Sequence, residues 1–314
     1  MRAVTIRDRE LTVEDHPDPE PGSGELLVRV RAAGLNGADL NQLAGNYPAP
    51  LGSPPDIPGL ELAGEVVARG PGVLRFSEGD RVMSIVGGGG QAELATVNER
   101  IVMPVPESLS WTEAGGVPEV FTTAHDALFT QAGLTLGERL LVHGGAGGVG
   151  TAAVQLGRAA GARVTATVRN PDLRDQVAAL GATVIAPEGF VEHGPFDVIL
   201  ELVGAVNLAD NLKSLETGGR ITVIGMGAGS RGEINLGLLL TKRARIHGST
   251  LRARPLEQKA ATARAVERSV LPLLAAGAVR VPIARVYPLA EAQAAYDHFS
   301  TGGKLGKIVL EMDQ

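Results

Sequence analysis

Five glycines fall within eight residues, His143 to Gly150, directly after the apolar run "RLLV". Glycine loses more backbone entropy on folding than any other residue, so such a cluster implies a close approach to the main chain. Downstream stands "TAAVQLGRAAG", with the apolar spacing of a helix, so the cluster reads as a strand-to-helix turn. The same pattern continues along the chain. "ARVTATV", "ATVIA", "FDVILELVG", "GRITVIGMG" and "RARIHGST" read as short apolar strands, separated by helical stretches at "LRDQVAALG", "NLADNLKSLET" and "GLLLTK". Strands alternating with helices predict right-handed βαβ units and a buried parallel sheet.

The rest of the chain has another texture. A length of 314 residues predicts two domains. Residues 1–121 carry short β-like runs ("RAVTI", "ELLVRVRAAGL", "LAGEVVARG", "DRVMSIV", "AELATVN") between turn signals such as "PDPEPGSGE", the pattern of a small, mostly antiparallel β domain. Residues 122–255 form the alternating region. Residues 256–314 read as a return to the first domain: one long helix "LEQKAATARAVERSVLPLLAAG" ending near Gly277, then "VRVPIARVYPL", a helix at "AEAQAAYDHFS" and a closing strand "GKIVLEM". The fold class is α/β, a doubly wound Rossmann sheet with a mostly β companion domain.

Composition removes several functions. Net charge is −6, from 29 basic and 35 acidic residues, which opposes a broad grip on nucleic acid. One Trp, three Tyr and six Phe leave little to stack on single strands. With no cysteine, disulfides, thiolate catalysis and cysteine-ligated zinc are excluded. The start "MRAVTIRDRE" lacks the apolar core of a signal peptide, and the longest apolar run, about ten residues around Pro272, is well short of the roughly 20 that span a bilayer. A cytoplasmic location is expected, with no membrane partner.

Gly145, Gly147 and Gly150 satisfy G-x-G-x-x-G in the strand–turn–helix context that gives the pattern meaning. In this reading Gly145 makes the tight turn, Gly147 admits a pyrophosphate to the backbone, and Gly150 lets helix and strand pack closely. Ala146, Gly148 and Val149 complete the cradle, whose N–H groups face the anion. The second strand selects the dinucleotide. An NAD site ends that strand in Asp or Glu, whereas "VTATVRN" ends in Arg169 and Asn170, with no carboxylate before Asp172. A guanidinium suits a 2′-phosphate, so NADPH is the expected cofactor, held by Arg169 and Asn170. Arg174 is a second candidate for that phosphate or a solvated helix arginine, and His143 reads as a structural imidazole at the end of a buried strand.

With these residues in hand, the sequence resembles the zinc-independent quinone oxidoreductases, the zeta-crystallin-like branch of the medium-chain dehydrogenases/reductases. The matching stretches include "GLNGADLNQLAGNYPAP", "DIPGLELAGEVVARGPGV", "MPVPESLSWTEAGGVPEVFTTAHDAL", "LLVHGGAGGVGTAAVQL" and "GKLGKIVLE". The resemblance implies a GroES-like β domain built from both chain ends, a Rossmann domain between them, and homodimers that extend their sheets through the last Rossmann strand, here "RARIHGS". Two departures stand out. Leu173 occupies the place of the lysine that in such enzymes meets the 2′-phosphate, and "APEGFVEHGPFD" is short enough to lack a surface helix.

The resemblance also assigns site residues. Tyr47 faces nicotinamide and substrate, its phenol available to a quinone oxygen; the alternative is a loop tyrosine that packs. Asn36 corresponds to a residue touching the nicotinamide ribose, or is a turn-forming Asn. Thr123 lies beside the nicotinamide, or is a buried helix threonine. Val203, Gly225 and Met226 lie at carboxyl ends of parallel strands, where doubly wound folds bind ligands. Ser249 and Leu251 line the nicotinamide pocket, or are ordinary loop packing. Asp39 reads as a helix-start residue, Glu61 as a satisfied structural carboxylate rather than a metal ligand, and Lys304 and Lys307 as solvated or near the cofactor cleft. "GLNGAD" and "PGLELAG" lack the cysteine and histidine of zinc alcohol dehydrogenases, which leaves an acceptor that takes hydride without a Lewis acid. A quinone fits, and an enone or 2-alkenal is the alternative. A cofactor-binding or RNA-binding protein without turnover is a third reading, opposed by the charge and aromatic content.

Overall fold

The computed structural model describes residues 1–312. The chain divides into two units, one made of Met1–Thr122, Leu251–Gly302 and the stretch from Lys307, the other of Thr123–Thr250 and Gly303–Gly306. The second unit therefore stops at Thr250 rather than at residue 255. It regains Gly303–Gly306 because the Gly306 N–H donates to the Ala146 carbonyl at 2.9 Å.

The first unit opens with a hairpin of β1 (Arg2–Arg7) and β2 (Glu10–Asp15). There follow β3 (Glu25–Gly34), α1 (Gly37–Leu43), β4 (Glu61–Arg69), β5 (Arg81–Ile85), β6 (Leu94–Asn98), β7 (Val102–Pro104) and α2 (Trp111–Gly116). Strand β3 alternates as a half-buried strand should: Leu26, Val28 and Val30 point into the core while Arg29 faces out. The chain leaves this unit within α3 (Pro118–His125).

The second unit contains β8 (Arg139–Val142), α4 (Gly148–Ala159), β9 (Arg163–Thr167), α5 (Arg174–Ala178), β10 (Thr183–Ile185), β11 (Phe196–Glu201), α6 (Leu208–Ser214), β12 (Leu215–Val223), α7 (Leu236–Thr241) and β13 (Arg245–Gly248). Its six strands are all parallel and run in the order β10-β9-β8-β11-β12-β13. Strand order therefore reverses between β8 and β11, the switch point at which doubly wound sheets bind ligands. Leu140–Val142 and Val198–Leu200 are fully buried, which accounts for their unbroken apolar runs. Between β10 and β11 only a 3₁₀ turn, Phe190–His193, stands where the short sequence lacks a helix.

After Thr250 come α8 (Leu256–Ser269), α9 (Leu271–Ala275), β14 (Ile283–Pro288), α10 (Ala292–Thr301) and β15 (Lys307–Glu311). The expected single helix is two helices. Pro272 cannot donate to the carbonyl four residues back and its ring collides with it, so the first helix closes at Val270 and Pro272 opens the next. Strand β15 pairs antiparallel with β3 and parallel with β14, completing a sheet in the order β14-β15-β3-β4-β5-β7, with β6 also on β3. Among the described residues no helix is long and apolar enough to cross a membrane.

Candidate functional site

The glycine cluster forms the turn from β8 into α4, and its glycines have different reasons to be there. Gly144, not Gly145, takes the left-handed conformation (φ +71°), so the tight turn is one residue earlier than the motif implies. Gly145 lies flat on the neighbouring strand, where a Cβ would sit 2.8 Å from the Ala166 Cβ. At Gly150 a Cβ would overlap the Gly144 carbonyl oxygen. Gly147 is unlike these. Its backbone is extended (φ −72°, ψ 168°), and a Cβ would come no closer than 3.5 Å to the Gly144 oxygen. It is the N-cap of α4 and brings no side chain to the first N–H groups of that helix, at Gly148 and Val149. Among the described residues nothing comes close enough to demand glycine here, and the N–H groups at the start of the helix, with no side chain over them, fit a dinucleotide pyrophosphate.

Of the other expected cofactor residues, Arg169, Asn170, Val203, Gly225, Met226 and Ser249 follow the carboxyl ends of strands of the same sheet. Arg169 follows β9, exposed and without a hydrogen bond or ion pair among the described residues. Asn170 caps a 3₁₀ turn by accepting from the Asp172 N–H at 3.0 Å. Arg174 is half-buried rather than solvated, because its Nε donates to the Val168 carbonyl at 3.1 Å. Two guanidiniums thus flank the end of β9. Val203 donates its N–H to Glu201 at 2.6 Å. Gly225 lies against Leu202, whose carbonyl a Cβ would overlap, and Met226 is 61% exposed. Ser249 donates to Asp126 Oδ2 at 2.7 Å, and Thr123 is buried in α3. Leu251 belongs to the first unit, where it is buried and lines a crevice with Ile85, Met103 and Lys259.

In the first unit the residues expected around the substrate form a buried polar cluster. Asn36 begins α1, its N–H donating to Asp39 Oδ2 at 2.8 Å. Its Nδ2 donates to Glu61 Oε1 at 3.0 Å and to the Gly34 carbonyl at 3.3 Å, while its Oδ1 accepts from Lys307 Nζ at 2.7 Å. Both amide hydrogens are therefore committed internally, and Asn36 acts on the shape of the 34–39 turn. Lys307 is 2% exposed, contrary to the solvated reading, and also meets the Leu35 carbonyl and Glu61 Oε1, each at 2.6 Å. Glu61 Oε2 accepts the Glu119 N–H at 2.8 Å. Both Glu61 oxygens thus have partners within the unit, and among the described residues no group of three His, Asp or Glu side chains is placed to hold a metal. Asp39 accepts from the Asn36 and Gly59 N–H groups, yet burial pushes its carboxyl up to about 6.

Tyr47 is half-buried, and its hydroxyl has no partner among the described residues. The guanidinium of Arg252 lies over its ring, 4.8 Å from the centroid, and donates to the Tyr47 carbonyl at 2.9 Å and to Gly87 at 2.8 Å. Burial lowers the pKa of this guanidinium. Sequence reasoning missed Arg252, which looks like any loop arginine in "LRARP". It also missed the depth of Lys307, for which the only signal was its place at the head of an apolar strand.

Two family models match the chain: the alcohol dehydrogenase GroES-like domain over residues 22–107 and the zinc-binding dehydrogenase over residues 148–267. The chain is 34% identical to a quinone oxidoreductase of Sus scrofa, covering 93% of this chain and 90% of that protein. It is 31% identical to an acryloyl-coenzyme A reductase of Metallosphaera sedula, covering 99% of each. Among solved structures, a mycobacterial protein complexed with NADPH superposes with a TM-score of 0.87 at 27% identity, over 99% of this chain and 100% of the other.

Proposed function

The chain belongs to the medium-chain dehydrogenase/reductase superfamily, and from that premise we propose that this oxidoreductase is an NADPH-dependent quinone reductase working without zinc. The observation that carries the reading is Gly147, an N-cap that nothing among the described residues requires to be glycine, at the edge of a sheet whose next strand is followed by Arg169 and flanked by Arg174. The α4 N-terminus would hold the pyrophosphate, and Arg169 with Arg174 the 2′-phosphate. When bound, a reduced nicotinamide supplies a hydride. Tyr47 would donate a hydrogen bond to an acceptor oxygen, and the Arg252 cation over its ring favours negative charge developing there. Hydride and a proton together convert quinone to hydroquinone, a change that leaves no alkoxide for a metal to stabilise. Asn36 and Lys307 shape the turn leading to Tyr47.

Reduction of an activated alkene is the second reading, favoured by the full-length similarity to an acryloyl-coenzyme A reductase. A panel of quinones, enones and 2-alkenals offered with NADPH and with NADH separates the two. Turnover of alkenals without quinones selects the second, and Tyr47→Phe at unchanged turnover removes the tyrosine from either. A homodimer joined through β13 is part of the proposal. That strand is a sheet edge, and α7 beside it in sequence leaves Leu236 and Leu240 71% and 75% exposed. Sedimentation reads the oligomeric state directly. Work in the cytoplasm completes the proposal.

A further inference from the structure

Beneath the glycine-rich turn lies a buried polar chain that the cofactor reading does not use. His143, 1% exposed, follows β8; Thr167 ends β9; Glu201 ends β11; and Asn211 comes from α6. The order of donors and acceptors can be worked out from one end. Glu201 receives N–H groups from Val203 at 2.6 Å, Gly204 at 2.9 Å, Asn207 at 3.1 Å and Asn211 Nδ2 at 2.7 Å. With its NH₂ turned to Glu201, Asn211 offers only its oxygen to His143 Nε2, 2.7 Å away. An amide oxygen accepts, so Nε2 carries the proton. At the other nitrogen, Nδ1 stands 3.1 Å from the Thr167 hydroxyl, which itself accepts the Gly144 N–H at 3.3 Å. A bare Nδ1 takes the hydroxyl proton, and every group in the chain is then satisfied. Phe190, itself buried, packs edge-on against the imidazole, centroids 4.6 Å apart.

The chain thus runs from Gly144 through Thr167, His143, Asn211 and Glu201 to the N–H groups of Val203 and Gly204. Those two ends are the loops on either side of the β8/β11 switch point. We propose that His143 is a positioning residue: held as the neutral Nε2–H tautomer, it fixes the glycine-rich turn relative to the Val203–Gly204 loop and so sets dinucleotide affinity. This rests on the reading that a dinucleotide lies on that turn. Burial agrees with the assignment, since it lowers the pKa of His143 against the opposing pull of Glu201. Glu201, whose Oε2 is 3.9 Å from Nε2, is the charged group that faces the ring.

The test uses the full chain labelled with ¹⁵N-histidine. Long-range proton–nitrogen correlation at pH 7 should show His143 protonated at Nε2 and bare at Nδ1. Titrating in NADPH and following its fluorescence then gives a dissociation constant without turnover. His143→Asn drops the link to Asn211, and Thr167→Val removes the hydroxyl at nearly constant shape. Each should weaken binding about three- to tenfold, the scale of one net hydrogen bond, with kcat at saturation within about twofold. An Nδ1–H tautomer or an imidazolium at pH 7 overturns the proposal, as does unchanged affinity in the variants. If His143→Asn fails to fold, Thr167→Val decides alone. Failure of the unsubstituted chain to bind NADPH or NADH would sink the functional reading itself; variants that leave an existing affinity unmoved sink only the positioning role.

Discussion

Replacing Lys307 by Met should unfold the first unit far more readily than loss of one surface charge would. The four-carbon stem and its packing are largely kept, since Met is unbranched and fills the same space. What disappears is the ammonium 2.6 Å from Glu61, in a pair of which one side chain is 2% exposed and the other fully buried. Removing one partner from such a pair leaves an uncompensated buried charge, at about 3–5 kcal/mol. In a unit of this size, roughly 2–4 °C is lost per kcal/mol, so the melting midpoint should fall by about 6–20 °C. Trp111, the chain's single tryptophan, opens α2 in the same unit, so its fluorescence during urea unfolding reports on the right part of the molecule. The decisive comparison is the double variant Glu61→Gln with Lys307→Met. With the stranded charge removed it should recover at least half of the loss, although each substitution alone is harmful. A double variant no more stable than Lys307→Met, or a single variant within about 1 kcal/mol of the original, would refute the argument.

Three further outcomes follow from the geometry. Arg169→Ala should raise the KM for NADPH about tenfold, the scale of one charge-assisted contact, and leave that for NADH nearly unchanged; parallel changes remove Arg169 from the 2′-phosphate. Gly147→Ala should leave unfolding free energy within about 1 kcal/mol yet weaken dinucleotide binding in a fluorescence titration, and unchanged binding would mean no pyrophosphate rests there. Asp39 titrates near 6 in the folded chain against about 3.9 when unfolded. Between those values the unfolded state sheds its proton first, so stability should decline as pH rises from about 4 to about 6, by about 3 kcal/mol relative to Asp39→Asn. A difference between the two proteins that is flat across this range would show that Asp39 is not so shifted.

The second unit was readable because its strands are buried on both faces, which writes them as unbroken apolar runs such as "RLLV" and "FDVILE", and because the glycine turn follows one of them. The hairpin strand β2 escaped notice since "ELTVED" is mostly exposed and charged, and β7 because three residues carry no period. Pro272 marks the break, but the helical spacing on both sides of it reads as one element. The family motif led to Asn36, but not to what holds it. Lys307 is 271 residues away in sequence, and Arg252 is 205 residues from the tyrosine it covers. Local spacing cannot register such pairs. The polar chain at His143 is hidden for the same reason: its members come from three strand ends and a helix, each unremarkable in its own segment.

One feature of the first unit bears on how the molecule comes off the ribosome. Lys307 reaches back across 272 residues to the Leu35 carbonyl, and β15 completes the sheet begun by β3. At roughly 5–20 residues per second, the early strands wait on the order of 15–50 s for that partner, with the Ala32–Gly34 end of β3 unpaired on one side and the Glu61 carboxylate uncompensated. The 123–250 segment has no such delay and can close while its neighbour is still open. Newborn chains are therefore exposed to strand-edge association during a defined interval, and it is the earliest-made part of the protein, not the nucleotide-binding fold, that a holdase chaperone would need to shield.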